Sequence, residues 1–324
     1  MRETEYTYAV AYTRTLENKM LKKTDMEMLI NCNNVRSAVD FLVEKGYGSS
    51  NDYKGNIDDI LKDEMINVYN EVKFAVPRNS KIEMFLYPND FHNLKTILKA
   101  VFSNTKWESV ILKPYNVDPK LIFDAISTKQ YNLLPEFIRQ SAVNAYEVLA
   151  KTQDGQLIEV MLDKDLFIIL KDKAKEYNNK FLINWLETNI AIINMKIALR
   201  GAKNKQNHSF LKSAFIPCEK INVSKLLDAA INSYSEVINV IEQSGFKEAA
   251  NNASESMIKF EKWCDNKKIE ELRFIKNNSF GVSPIIAFLI GKKNEIMCIR
   301  LIISGINSGI NKELIRERLR DLYV

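Results

Sequence analysis

The sequence predicts an all-α protein built from three related helical units, and three observations carry that expectation. Chain breakers are scarce, with 10 Gly and 7 Pro among 324 residues. Apolar residues recur at three- and four-residue steps far more often than they alternate, which is the period of a helix and not of a strand. A segment with one basic residue among aliphatic ones returns twice, at intervals of about a hundred residues. A chain of this length is also comfortable as two or three domains of roughly 100 to 150 residues each.

The recurring segment runs Phe91-His-Asn-Leu-Lys95-Thr-Ile-Leu98, then Ile192-Ile-Asn-Met-Lys196-Ile-Ala-Leu199, then Ile296-Met-Cys-Ile-Arg300-Leu-Ile-Ile303. With Lys95, Lys196 and Arg300 taken as equivalent, the separations are 101 and 104 residues. A second marker keeps the same order: Asn116-Val-Asp-Pro-Lys-Leu-Ile-Phe-Asp124-Ala matches Asn222-Val-Ser-Lys-Leu-Leu-Asp228-Ala, with Thr24 to Leu29 as a weaker copy. These markers divide the chain into helical units at 1–113, 114–216 and 217–324.

Taken in order, the elements follow from local chemistry. Thr24 with Glu27 three residues on reads as a capping box, each side chain satisfying a free backbone N–H at a helix start. A turn-rich break follows at Gly46 to Gly55, and Lys81 to Tyr87 alternates briefly before Pro88 ends it, too weak a signal for a strand. Asp118-Pro119, after the break at Pro114 to Pro119, combines an N-cap acceptor with a first-turn proline. Leu182 to Leu199 and Pro284 to Ile303 carry apolar residues on more than one face, as helices buried among helices do. Gly201 to Pro217 is polar and basic and reads as a surface loop. Asn222 or Ser224 caps the next helix, and Ser283-Pro284 reads as an N-cap before an N1 proline.

The chemistry-bearing residues point away from catalysis. There are only two histidines, His92 on an apolar helix and His208 in a polar stretch, so neither a zinc set nor a His-based triad can be assembled locally. No glycine-rich phosphate loop is present, and Gly281-Val-Ser283 runs into Pro284 and cannot form a nucleophile elbow. Gly201-Ala-Lys203 and Gly291-Lys292 read as helix C-termini with a cation near the dipole. The carboxylate pairs Asp58-Asp59 and Glu270-Glu271 point in different directions on a helix and read as solvated faces. No catalytic residue, cofactor or metal ion is expected.

The net charge of +5 is spread among interleaved acids and bases, which argues against a nucleic-acid groove. Cys32, Cys218, Cys264 and Cys298 lie far apart without a C-x-x-C spacing, so free thiols are expected. Met1 to Leu16 lacks the apolar core of a secretory leader. The longest apolar run, Val282 to Ile290, falls well short of the roughly 20 residues that a membrane-spanning helix needs.

The stretch from Gly281 to Asp321 resembles the end of the C subunit of archaeal and bacterial V-type ATPases, the homologue of the eukaryotic d subunit. The residues that carry the resemblance are Pro284, Ile286, Ala287, Phe288 and Leu289, Glu295 five before Arg300, and Glu313 followed by Ile315-Arg-Glu-Arg-Leu319. The opening helix Tyr8 to Glu17 and the middle, through Ile122 to Ile126 and Gln130-Tyr131, are similar to the same family. Ala191 stands where the other two repeats have Asp90 and Glu295, and Cys298 where they have Asn93 and Asn194.

The resemblance implies three similar helical domains around a pseudo-three-fold axis, forming a funnel. It implies a non-catalytic central-stalk connector on the cytoplasmic face, peripheral to the membrane through the rotor ring. Its partners would be the central shaft subunits of the catalytic head and the membrane rotor ring subunits, within a machine that moves protons or sodium ions. Lys95, Lys196 and Arg300 then either pair each with an acid of their own unit or line the funnel as candidate residues for an acidic shaft foot. The competing expectation is a helical-repeat scaffold that binds other protein partners in a concave surface, although such repeats usually run roughly 30 to 45 residues.

Overall fold

The computed structural model describes residues 3–48, 56–78 and 80–324, and among them every regular element is helical. The N-terminal part holds α1 (Thr7–Glu17), α2 (Lys23–Asn31), α3 (Val35–Glu44) and α4 (Ile57–Ala75). Then come α5 (Tyr87–Ser103), α6 (Pro119–Thr128), α7 (Glu136–Thr152), α8 (Gly155–Glu176) and α9 (Lys180–Asn204). They are followed by α10 (His208–Ala214), α11 (Val223–Asn232), α12 (Tyr234–Gln243) and α13 (Lys247–Glu255). The chain finishes with α14 (Met257–Ile275), α15 (Ser283–Asn307) and α16 (Lys312–Arg318).

These helices form two compact units, one of Met1–Phe85 with Glu261–Val324 and one of Leu86–Phe260. The boundaries fall at other places than those read from the repeat. In the first unit α15 is the central member, packed on α1, α2, α3 and α4. It is buried along most of its surface from Ile285 through Ile303, with Lys293, Met297, Arg300 and Ser304 forming one exposed stripe. In the second unit α9 packs on α8, α11 and α12, and α5 on α6, α7 and α8.

Several helix starts follow the sequence. Asp118 accepts from Lys120 N at 2.8 Å at the head of α6, and Asn222 accepts from Lys225 N at 3.0 Å at the head of α11. Others are shifted. At α2 the N-cap is Lys22, and the carboxylate of Asp25 accepts from Lys22 N at 2.8 Å, so Thr24 lies inside the first turn and the box does not involve Glu27. At α15 the N-cap is Val282, with Ser283 and Pro284 already in the first turn, where a missing N–H costs nothing.

Two further sequence expectations are overturned. The stretch from Gly201 to Pro217 is not a surface loop: α9 continues to Asn204, and Asn207 caps α10 by accepting from Phe210 N at 2.8 Å. Its polarity reflects exposure of one face, since Leu211 and Ala214 are buried. Gly291-Lys292 is not a helix end but the interior of α15. The glycine is there for room: a Cβ at position 291 would lie 2.5 Å from Cγ of Tyr323. The weak alternation at Lys81 to Tyr87 is a 3-10 turn, Ile82–Leu86, that buries Ile82, Met84 and Leu86 ahead of α5. Of the predicted break at Gly46 to Gly55, only 46–48 lies within the described residues, as a turn with Gly46 at φ 93°.

Candidate functional site

The three basic residues marked by the repeat sit on α5, α9 and α15, each of which buries much of its surface. Lys95, on α5, donates to Asp163 Oδ1 of α8 at 2.5 Å. Arg300, on α15, pairs through Nε with Asp58 Oδ1 of α4 at 2.6 Å. Lys196 is half-buried on α9 and also has a partner. Arg300 belongs to the first unit, Lys95 and Lys196 to the second. The acids five positions earlier do other work. Residues five apart on a helix point about 140° away from each other, and Asp90 instead accepts from Asn116 N at 2.8 Å and Val117 N at 3.0 Å.

The residues two positions before each base hold the chain that follows their helix. Asn93 donates to Leu112 O at 3.1 Å and accepts from Leu112 N at 2.9 Å. Asn194 does the same to Ile216, at 2.8 and 3.0 Å. At the third position Cys298 donates its thiol to Arg320 O at 3.8 Å, and burial pushes that thiol up to about 11, so it stays a neutral donor. A side-chain amide that pairs with both backbone groups of one extended residue replaces the partners a strand would have supplied. In α9 a further carboxylate joins: Glu187 pairs with Lys171 of α8 and accepts from Glu219 N at 2.8 Å.

A buried polar cluster, which the sequence did not reveal, lies in the first unit. Lys292 of α15 donates to Glu295 Oε1 at 2.8 Å and to Tyr47 Oη at 2.9 Å, and pairs with Glu64 Oε1 of α4 at 2.8 Å. Tyr47 Oη in turn donates to Glu295 Oε1. The second oxygen of Glu295 accepts from Leu21 N, in the α1–α2 connection, at 2.5 Å. Lys292, Glu295 and Tyr47 are buried, at 4%, 0% and 1% exposure. All three ammonium donors thus have acceptors, the condition for keeping a charge out of water. Burial, and then the Glu295 carboxylate beside it, hold the Tyr47 phenol well above the ordinary tyrosine range.

Leu21, Tyr47, Glu64 and Lys292 of the cluster line part of a cavity of about 790 Å³. Lys19, Lys22 and Lys45 line it together with Asp25, Glu44, Glu64 and Glu71, so its charge is mixed. Among the described residues no group of His, Cys, Asp and Glu side chains is arranged for a metal ion, and no helix is long and apolar enough to cross a membrane. None of the four cysteines is in a disulfide, and the Cys218 thiol donates to Glu187 O at 3.6 Å.

Residues 9–318 match the family model described as ATP synthase (C/AC39) subunit. The C subunit of the V-type sodium ATPase of Enterococcus hirae is 20% identical over 96% of this chain and 96% of its own length. The C subunit of the A-type ATP synthase of Methanosarcina mazei is 24% identical over 97% and 92%, and that of Methanocaldococcus jannaschii 22% over 98% and 86%. Arg300, Asn93, Glu187 and the Lys292 cluster all fall inside the matched span. The chain belongs to the ATP synthase (C/AC39) subunit family.

Proposed function

We propose that this chain is the non-catalytic central-stalk connector of a rotary V-type ATPase, joining the shaft of the catalytic head to the ion-translocating membrane ring. The observation that carries the reading is the family match along 9–318, together with relatives named as C subunits that align over nearly their full lengths. A connector needs a stiff body and protein-facing surfaces, and helices tied by side-chain clamps to the segments between them suit that task. The chain would sit at the cytoplasmic face, held to the membrane only through the ring.

The division at 1–113, 114–216 and 217–324 around a pseudo-three-fold axis belongs to the same proposal. Support comes from the recurring succession of two long helices, α4 then α5, α8 then α9, and α14 then α15, and from Asn93 and Asn194, which hold backbone through the same pair of hydrogen bonds, with Cys298 donating its thiol to a backbone carbonyl at the third position. Within this reading Lys95, Lys196 and Arg300 are basic residues available to an acidic shaft foot, which would take over from their present intramolecular partners. Isolation from native membranes tests the reading: the tagged chain should co-purify with ring and shaft subunits in fixed stoichiometry. A helical scaffold outside the motor would come with neither.

A further inference from the structure

The first unit is assembled from two stretches separated in sequence by the whole of the second. Its central helix, α15, presents Ile285, Ile286, Leu289, Ile296, Ile299 and Ile302 to its neighbours. Such an aliphatic surface drives association but is nearly indifferent to rotation or to a slip of one turn, because hydrophobic attraction is non-directional. Two buried side chains on it bind the N-terminal segments directionally, beside the half-exposed Arg300–Asp58 pair. Lys292 and Glu295, one turn apart, reach Leu21 N in the α1–α2 connection, Tyr47 after α3, and Glu64 of α4.

We infer that the buried Lys292–Glu295 pair is a clasp that sets the register at which the N-terminal segments close on α15. It acts through geometry. A buried ion pair adds little net stability compared with apolar residues of the same volume, yet loss of one partner leaves the other charge stranded, so only the fully engaged register is tolerated. Any slip of α15 would strand Lys292 away from Glu64 and Tyr47 together, and would leave the Leu21 amide without an acceptor. The segments that the clasp holds, Leu16 to Lys22, Glu44 to Tyr47 and the Glu64 turn of α4, are also the walls of the cavity. Opening the clasp therefore loosens that cavity and these segments first, and leaves the second unit closed. The inference does not depend on the proposed function.

Hydrogen exchange on the intact chain tests it, with peptides from 17–48 as the reporter and peptides from 86–260 as the internal reference. Glu295→Gln should speed exchange in 17–48 at least tenfold and leave the reference unchanged. Tyr47→Phe, which removes one hydroxyl from the same cluster, should give a smaller increase in the same peptides. The double change Lys292→Met with Glu295→Leu should bring the melting temperature back toward wild type while exchange in 17–48 stays fast, since stability returns but register does not. Unchanged exchange in 17–48 for both single variants overturns the clasp. So does an equal rise in both regions, or a double variant that restores protection in 17–48.

Discussion

Asn93 and Asn194, 101 residues apart, each hold both backbone groups of a single residue, Leu112 and Ile216, through the same pair of hydrogen bonds. Asn194 is fully buried, and removing its amide leaves an N–H and a C=O without partners. At about 1 to 3 kcal/mol for each of the two stranded groups, Asn194→Ala should destabilise the chain by roughly 2 to 6 kcal/mol. Cys298→Ala removes one long thiol contact and should cost about 1 kcal/mol or less. Denaturant titrations of both variants check the order, and a larger loss for Cys298→Ala would contradict this role for the amides.

Close approach at glycines gives a second prediction. A Cβ at position 305 would lie 2.6 Å from Cδ1 of Ile315, and one at 291 would meet the Tyr323 ring. Tyr323 is itself buried and donates to Glu17 Oε1 at 3.0 Å, so it has little room to move. Gly291→Ala should therefore destabilise by about 1 to 3 kcal/mol despite alanine's higher helix propensity. Gly309, at φ 64° with open space around it, sits in a turn and should lose stability through backbone strain alone when changed to alanine. Thermal melts of the two variants, each with an added Tyr323→Ala change, separate the mechanisms: only Gly291→Ala should be relieved.

Acid should weaken the second unit through Glu187. Burial raises its carboxyl, but Lys171, the Glu219 N–H and the Cys218 thiol outweigh that and leave it below the ordinary carboxylate range. A folded value below the unfolded one means the contribution is fully present above the unfolded carboxylate pKa, near 4.3, and is lost as pH falls through the lower folded value. Stability of wild type relative to Glu187→Gln should accordingly shrink as pH drops from about 5 to about 3. Asp25, where burial is outweighed by Lys45 and the Lys22 N–H, should behave in the same sense. A difference that grows with acidity would reverse the assignment.

For the three repeat bases, the pairs already visible set the expectation. Arg300 and Asp58 are both about half exposed, so their pair should be worth no more than about 1 kcal/mol. A triple change of Lys95, Lys196 and Arg300 to Gln separates two roles. Lower thermal stability with unchanged shaft binding assigns them to the fold alone; preserved stability with weaker, less salt-dependent binding assigns them to the shaft.

Helix content and several helix starts could be read from the sequence because they depend on neighbours. The acceptors Asp118 and Asn222 sit two and three residues from the amides they satisfy. Reading by neighbours failed where partners are distant. Gly291-Lys292 looks like a helix end when only nearby residues are considered, whereas Tyr47, Glu64 and Leu21 N, which explain Lys292 and Glu295, come from the opposite end of the chain. Asn93 and Asn194 were visible as a repeat, but their task was not, because a backbone partner leaves no trace in composition. A polar stretch such as 201–217 hides its helices for a related reason: α10 is short, and only Leu211 and Ala214 face inward.

The measurement that bears most directly on the proposed role is ATP hydrolysis and ion uptake, recorded side by side on complexes rebuilt with and without this subunit. If the chain is the mechanical link between shaft and ring, its removal should leave the head hydrolysing ATP while ion uptake stops, because torque then has no path to the membrane. Partial loss, through variants that weaken its binding, should lower uptake per ATP in proportion to occupancy. Ion uptake that persists at the normal ratio to hydrolysis in complexes lacking the chain would contradict the coupling role.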